Sequence, residues 1–387
     1  MAPARSRADR LADDVVVLGR RALPRDEYFR ELGARLRRVI DCEALCWHTL
    51  DPDTQLMTSD APEELISSGV YTPETAAAAG AVIVESEYMG EGLNTFAGLA
   101  GKRVPVGILS DVTRGNPERS SRYRNLLAPS GIPFEMRAAF VSRGRAWGAV
   151  HIARGGDKRD FTPSDVTALA RVASAIADGI RTSLRFDAAR RAGGSTGPGM
   201  VILARTDDVE LITPPARELL AALRSPALAE HEDRVPPALT ALAAHVRRSA
   251  KDGVGQTDVV AVPSAYGWIT LHASLPDGGA DGRVAIVVER AASERATALR
   301  LETHGVTERE REVAALLARG LSNPEIATAL VVSPYTVQDH IRSLYEKTGV
   351  GSRQELVARV FLDDYLPNVA RGSELTSSGS FAEPTVR

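Results

Sequence analysis

Residues 305–362 read GVTEREREVAALLARGLSNPEIATALVVSPYTVQDHIRSLYEKTGVGSRQELVARVFL, and their spacing predicts four short helices joined by tight connections. Thr307 is placed to N-cap the first helix, with Glu310 as its capping-box partner. Ser322 and Glu325 repeat the pattern for the second, and Pro324 sits in the first turn, where a missing N–H costs little. Ser333 caps the third ahead of Pro334, and Ser352 with Glu355 caps the fourth. Gly320 and Gly349 follow the first and third helices, where a left-handed residue is wanted. Apolar stripes agree with this division: Val313, Leu316 and Leu317; then Ile326, Ala329 and Leu330; then Val337, Ile341 and Leu344. Only Val331, Val332 and Ser333 separate the second helix from the third, a helix-turn-helix connection. Away from the apolar stripe the third helix presents Tyr335, Gln338, Asp339, Arg342 and Glu346. That face donates and accepts hydrogen bonds, as a helix in a major groove must.

The pieces TEREREV, GLSNPEIA, VSPYTVQDHI and KTGVGSRQELV resemble the LuxR-type helix-turn-helix domain shared with NarL-type response regulators. The resemblance implies an all-α four-helix unit whose third helix reads double-stranded DNA and whose fourth dimerises. Alignment puts the base-reading positions at Gln338, Asp339 and Arg342. A guanidinium at Arg342 can bond a guanine edge bidentately, worth ~1–3 kcal/mol of discrimination. Many relatives carry Lys where Gln338 stands, which implies a different site. Asp339 either accepts from a cytosine amino group or orients Arg342 across one turn, and the second reading is favoured. Asn323, Ser333, Tyr335, Thr336, Lys347 and Arg353 lie at helix ends suited to phosphate, Ser333 serving as a cap in any case. His340 reads as a packed, hydrogen-bonded histidine. Leu356, Val357, Val360 and Phe361 supply an apolar dimerisation face.

Charge opposes strong binding by one copy. Between Thr303 and Leu366 stand seven basic and nine acidic side chains, a net charge of −2. Nucleic-acid binding usually leaves a basic footprint. A homodimer reading two half-sites would compensate.

The whole chain has 387 residues, 25% of them charged and 44% hydrophobic, with net charge −3. Such length predicts two or three domains. Its longest apolar run, Ala76 to Val84, is about nine residues, against the ~20 needed to span a bilayer, so no membrane partner is expected. MAPARSRADRLADD lacks the apolar core of a signal peptide. Cys42 and Cys46 suit a reduced cytoplasm. With His48 they make an incomplete metal set, so core cysteines, with no metal and no cofactor, are expected. No glycine-rich phosphate loop or nucleophile elbow points to an enzyme, and Trp47, Trp147 and Trp268 read as core or pocket walls.

Along the chain, residues 1–10 read as a disordered tail and 11–190 as a first domain. Tyr28, Phe29, Leu32, Leu36 and Val39 fall at helical spacing. CEALCWHTLD is a strand, and Pro73 to Ala79 a helix in a loop-rich middle. Two apolar runs flank Gly144-Arg145 as a hairpin, and FTPSD opens a long helix with Thr162 as cap. This order resembles a GAF domain. RAGGSTGPG, from Arg191 to Gly199, reads as a linker, with 191–198 assigned to it. Residues 199–290 follow as two strands, helices (a polar one from Pro237 to Ser249) and three strands, an order similar to PAS domains. A connector (291–304), the helical domain (305–366) and a disordered tail (367–387) complete a multidomain α+β chain with no internal repeat at a fixed period. These resemblances imply a transcriptional regulator with a small-molecule effector in the GAF-like or PAS-like domain, and RNA polymerase as a partner the class admits. The alternative is a signalling adaptor or ligand-binding dimerisation protein with weak or vestigial DNA binding.

Overall fold

The computed structural model describes residues 7–189, 197–223, 235–251, 258–264, 267–276, 281–291, 301–318, 321–353 and 355–356. The chain divides into two compact units, Met1–Arg290 and Ala291–Arg387.

The first unit contains two five-stranded antiparallel sheets, and both follow the order 2-1-5-4-3. In the first sheet β1 (Ala44–Leu50) and β2 (Met57–Ala61) precede β3 (Val106–Ile108), β4 (Phe134–Ser142) and β5 (Arg145–Arg154). The predicted hairpin is β4–β5, with Ser142 opposite Arg145. Strand β1 is buried along its whole length, because helices cover one sheet face and α-helical and loop segments the other. In the second sheet β6 (Gly199–Leu203) and β7 (Val209–Ile212) precede β8 (Asp258–Ser264), β9 (Gly267–Ser274) and β10 (Val284–Arg290). The shared topology is a repeat of architecture without a repeat of sequence.

Helix α1 (Arg7–Gly19) starts inside the stretch read as a tail, and it buries Leu11, Val15 and Leu18. The stripe begins only at Leu11, so the polar first turn gave no periodicity to read. With α2 (Arg25–Leu36), α1 packs on the long helix α7 (Pro163–Ala189). Thr162 caps α7 as expected, its hydroxyl accepting from Asp165 N–H while Asp165 accepts from Thr162 N–H. Gly179 makes the packing possible: a Cβ there would fall 2.0 Å from Tyr28 Oη.

The loop-rich middle is more helical than expected. After the short α3 (Glu63–Ser67), α4 runs Pro73–Tyr88, far past Ala79, with Thr72 as its N-cap. The apolar run Ala76–Val84 is therefore its interior; Gly80 is a mild breaker, and the surrounding alanines favour helix. Helices α5 (Phe96–Ala100) and α6 (Leu109–Thr113) flank β3. After α8 (Pro214–Ala221), α9 spans Pro237–Lys251. Read as polar, α9 in fact buries Leu239, Leu242 and Val246 along with its alanines. It packs against α4, β2 and the second sheet, and Arg248 donates to the Tyr88 carbonyl at 2.7 Å. Small alanines hid an apolar face that only close helix approach makes useful. Cys42 and Cys46 are buried and form no disulfide, and Trp47, Trp147 and Trp268 are buried as well. Among the described residues no group of three or more His, Cys, Asp or Glu could hold a metal ion, and no helix is long and apolar enough to cross a membrane.

The second unit is helical: α10 (Glu308–Ala318), α11 (Asn323–Leu330) and α12 (Pro334–Thr348). Arg353, Glu355 and Leu356 begin a fourth helical turn, with Glu355 N–H donating to Ser352 Oγ at 3.1 Å. Val313, Leu317, Ile326, Ala327, Val337, Ile341 and Leu344 form one core. Ala329, expected in that stripe, is exposed and Ala327 takes its place.

Candidate nucleic-acid interface

Each helix of the second unit is started by its own side chains. Thr307 and Glu310 bond reciprocally at the head of α10. Ser322 and Glu325 form a full capping box on α11. Ser333 Oγ accepts from Thr336 N–H at 3.1 Å on α12. Gly349 ends α12 in the left-handed conformation. Val331 does the same for α11, at φ 54° and ψ 49°, although a β-branched residue is disfavoured there. These caps fix where α12 begins, and so which of its side chains face outward.

Val337, Ile341 and Leu344 turn inward, while Gln338, Asp339, Arg342 and Glu346 are exposed along the opposite face. Tyr335, 80% exposed, stands at the head of that face. The predicted base-reading row is thus continuous and open. Asp339 and Arg342 form no ion pair among the described residues, so the favoured reading, in which Asp339 orients Arg342, does not hold in the free protein. Both side chains extend into solvent, where a surface pair gains little. His340 also departs from expectation: it is half-buried and has no hydrogen-bond partner among the described residues.

The phosphate candidates separate into two groups. Asn323, Ser333, Tyr335 and Thr336 lie at the starts of α11 and α12, with Asn323 and Thr336 half-buried and the other two exposed. Lys347 and Arg353 are turned inward instead. Lys347 Nζ donates to both Glu310 carboxylate oxygens, at 2.5 and 2.6 Å. Arg353 donates to the Leu321 carbonyl. Leu356 is 1% exposed within the domain core, which removes it from a free dimerisation face. Val357, Val360 and Phe361 lie outside the described residues.

Glu310 is the residue that sequence reading undervalued. Burial pushes its carboxyl up, but Lys347, Ser343 and Thr307 outweigh that and hold it at about 2. One carboxylate thereby caps α10 and ties it to the far end of α12, with Ser343 Oγ donating at 2.6 Å. Its capping role was legible at three-residue spacing; its partners 33 and 37 residues away were not.

Two further described arginines of this unit are also occupied. Arg309 pairs with Glu312 and donates to the Leu330 carbonyl, and Arg311 pairs with Glu302. Among the described residues of the unit, Arg342 is the arginine or lysine left without an ion pair or hydrogen bond. It is also exposed at mid-helix on the open face.

Three capped helices, a three-residue turn and an exposed polar face on the last of them define a helix-turn-helix domain. Residues 304–360 match the family model described as "Bacterial regulatory proteins, luxR family"; the C-terminal unit is a LuxR-family helix-turn-helix domain. A putative HTH-type transcriptional regulator of Mycobacterium bovis, Mb0914c, is 35% identical over 152 residues, covering 37% of this chain and 17% of that protein. The HTH-type transcriptional regulator MalT of Serratia proteamaculans is 46% identical over 57 residues, covering 15% of this chain and 6% of MalT. The chain thus matches no more than about a fifth of these relatives' length. Among solved structures, the phage VqmA–DPO complex aligns at 21% identity over 44% of this chain and 84% of that one, with a TM-score of 0.22, too low to relate the folds.

Proposed function

We propose that this chain is a sequence-specific transcriptional regulator that binds double-stranded DNA as a homodimer through α12. Arg342 is the base-reading residue, Gln338 and Asp339 are its neighbours in the groove, and Ser333, Tyr335, Thr336 and Asn323 meet phosphate. The observation that carries this reading is the uncompensated Arg342 on the exposed face of α12, while Arg309, Arg311, Lys347 and Arg353 of the same unit are engaged within the protein. The two sheets of order 2-1-5-4-3, with helices over them, support a GAF-like and a PAS-like sensor that holds an effector and governs how two reading heads are presented. Sequence-selective binding then comes from one guanidinium per half-site, so specificity depends on few contacts and affinity on pairing.

Selection of genomic fragments by the purified full-length chain, followed by titration on the enriched site, tests this. A discrete two-fold-related site is expected, and Arg342→Ala should erase ~1–3 kcal/mol of its preference over unrelated DNA. The salt slope should be shallow, with log K falling by about 1–3 per tenfold salt for each half-site. Equal loss on all sequences would make Arg342 a phosphate contact. Failure to enrich any fragment would favour the adaptor reading, for which the domain's acidic balance is the supporting observation.

A further inference from the structure

A cavity of about 40 Å³ lies in the first unit between the first sheet and α4. Three polar residues of one sheet face border it. Cys46 and His48 stand two apart on β1 and so point the same way, and His151 of β5 lies opposite Cys46 in register. Tyr71 borders it from the segment before α4, and the rest of the wall is apolar, including Met57 and Ala79. Pro237, the first residue of α9, closes one side, so the second sheet's helix is part of the same enclosure.

Two of the polar groups are unsatisfied. Tyr71 is 5% exposed and His151 3%, yet among the described residues neither Tyr71 Oη nor His151 Nε2 makes a hydrogen bond of good geometry, the Ser130 side chain being a weak partner of Tyr71 Oη. A buried polar atom left so costs about 1–3 kcal/mol. His151 Nε2 is 3.4 Å from Glu135 Oε1, but that carboxylate is already held bidentately by Arg122 at 2.6 and 2.7 Å. Two orphaned polar atoms in an otherwise apolar enclosure match a molecule with one polar end.

We infer that this cavity binds a small neutral ligand with an apolar body and a single oxygen end, of the class of short-chain alcohols and ketones. Neutrality follows from the wall: a bare ion buried among apolar groups has no adequate compensation. Size follows from the volume, since one ordered water takes ~10–15 Å³ by this measure, leaving room for roughly three or four heavy atoms. The protein side is neutral too. Burial lowers the His151 pKa to about 4, outweighing Glu135, and burial raises that of Tyr71, keeping its phenol a donor. Because Pro237 forms part of the wall, occupancy is felt directly by α9, the helix joining the two sheets.

The inference rests on the effector-sensing part of the proposed function, and binding is measured without DNA so that either can fail alone. The full-length chain with ¹³C-methyl-labelled methionine is titrated with 1-propanol, acetone and, as a charged molecule of similar size, acetate. Met57 is assigned by its Leu variant. Its methyl resonance should shift saturably with the two neutral probes and not with acetate. Tyr71→Phe should weaken that response several-fold, and Ala79→Leu, which fills the cavity, should abolish it while other methionine signals persist. If Ala79→Leu does not fold, Tyr71→Phe decides. No saturable Met57 response, an equal response to acetate, or indifference to Tyr71→Phe overturns the proposal. DNA titration of the same unliganded sample separates this result from the regulator reading.

Discussion

Val331 occupies the tightest point of the helix-turn-helix, and it does so in an unfavourable way. Its backbone is left-handed at φ 54°, and its side chain is 91% exposed, so no packing offsets the strain. An L-residue in that region costs roughly 1–2 kcal/mol, and β-branching makes it worse. Glycine would remove the clash but loses about 0.4–1 kcal/mol through a freer unfolded chain. Val331→Gly should therefore stabilise the second unit by roughly 0.5–1 kcal/mol, read as a higher urea midpoint in the helical circular dichroism of the full chain. A lower midpoint would mean that the valine methyls hold something in the folded domain. The sequence could not flag this position. Gly349 advertises its left-handed end because glycine is favoured there; a strained valine carries no such mark. His340 was opaque for a related reason: a histidine on a helix border gives no sign of whether a partner is in reach.

Among the elements, α10 and α12 are joined through Glu310, which makes a capping residue into a strut. Glu310→Gln would keep the shape but leave the Lys347 ammonium, whose side chain is 18% exposed, facing a neutral amide. Loss of charged hydrogen bonds of this kind costs ~1.5–3 kcal/mol. The same change would free Lys347 for phosphate. So Glu310→Gln should lower the stability of the second unit and yet steepen the salt dependence of DNA binding by about one unit of slope per half-site. Fluorescence anisotropy across a salt series checks this; an unchanged slope would show that Lys347 cannot reach the backbone. The legible part of the fold was what repeats locally: capping boxes at i and i+3 (Thr307, Ser322), the Ser352 cap, the β4–β5 hairpin, the Thr162 start of α7. The rest depended on distant partners. Helix α4 looked short because alanine and glycine dilute its stripe, and α9 looked polar because its buried face is mostly methyl groups. Arg342, by contrast, was legible as an outward-facing cation of the third helix but not as the one left uncompensated among the described residues, since that required seeing where Arg309, Arg311, Lys347 and Arg353 are spent.

At the scale of the whole molecule, the two units should respond differently to acid. The first unit buries His151 as a neutral ring, with Cys46 on β1, Glu135 and Arg137 on β4 and Arg122 around it. Burial depresses its pKa to about 4, below the ordinary 6.5, so its contribution is present above pH 6.5 and lost as pH falls from there toward 4. Glu135 is pushed up by burial but pulled down more strongly by Arg122, to about 2; its contribution is kept above about 4.5 and lost only on further acidification. Glu310 in the second unit, also near 2, follows the Glu135 pattern. Of these three groups only the histidine acts between pH 7 and 5, and the proton that the unfolded chain takes up there costs the first unit about 2 kcal/mol by pH 5. For a unit of this size that is a fall of roughly 3–6 °C in its melting temperature. All three tryptophans, Trp47, Trp147 and Trp268, belong to the first unit, so tryptophan fluorescence isolates its transition. The fluorescence midpoint should drop over that pH range, and His151→Phe should flatten the dependence. If the variant keeps the full drop, His151 is not the group that titrates, and the neutral ring assigned to the cavity wall is wrong with it.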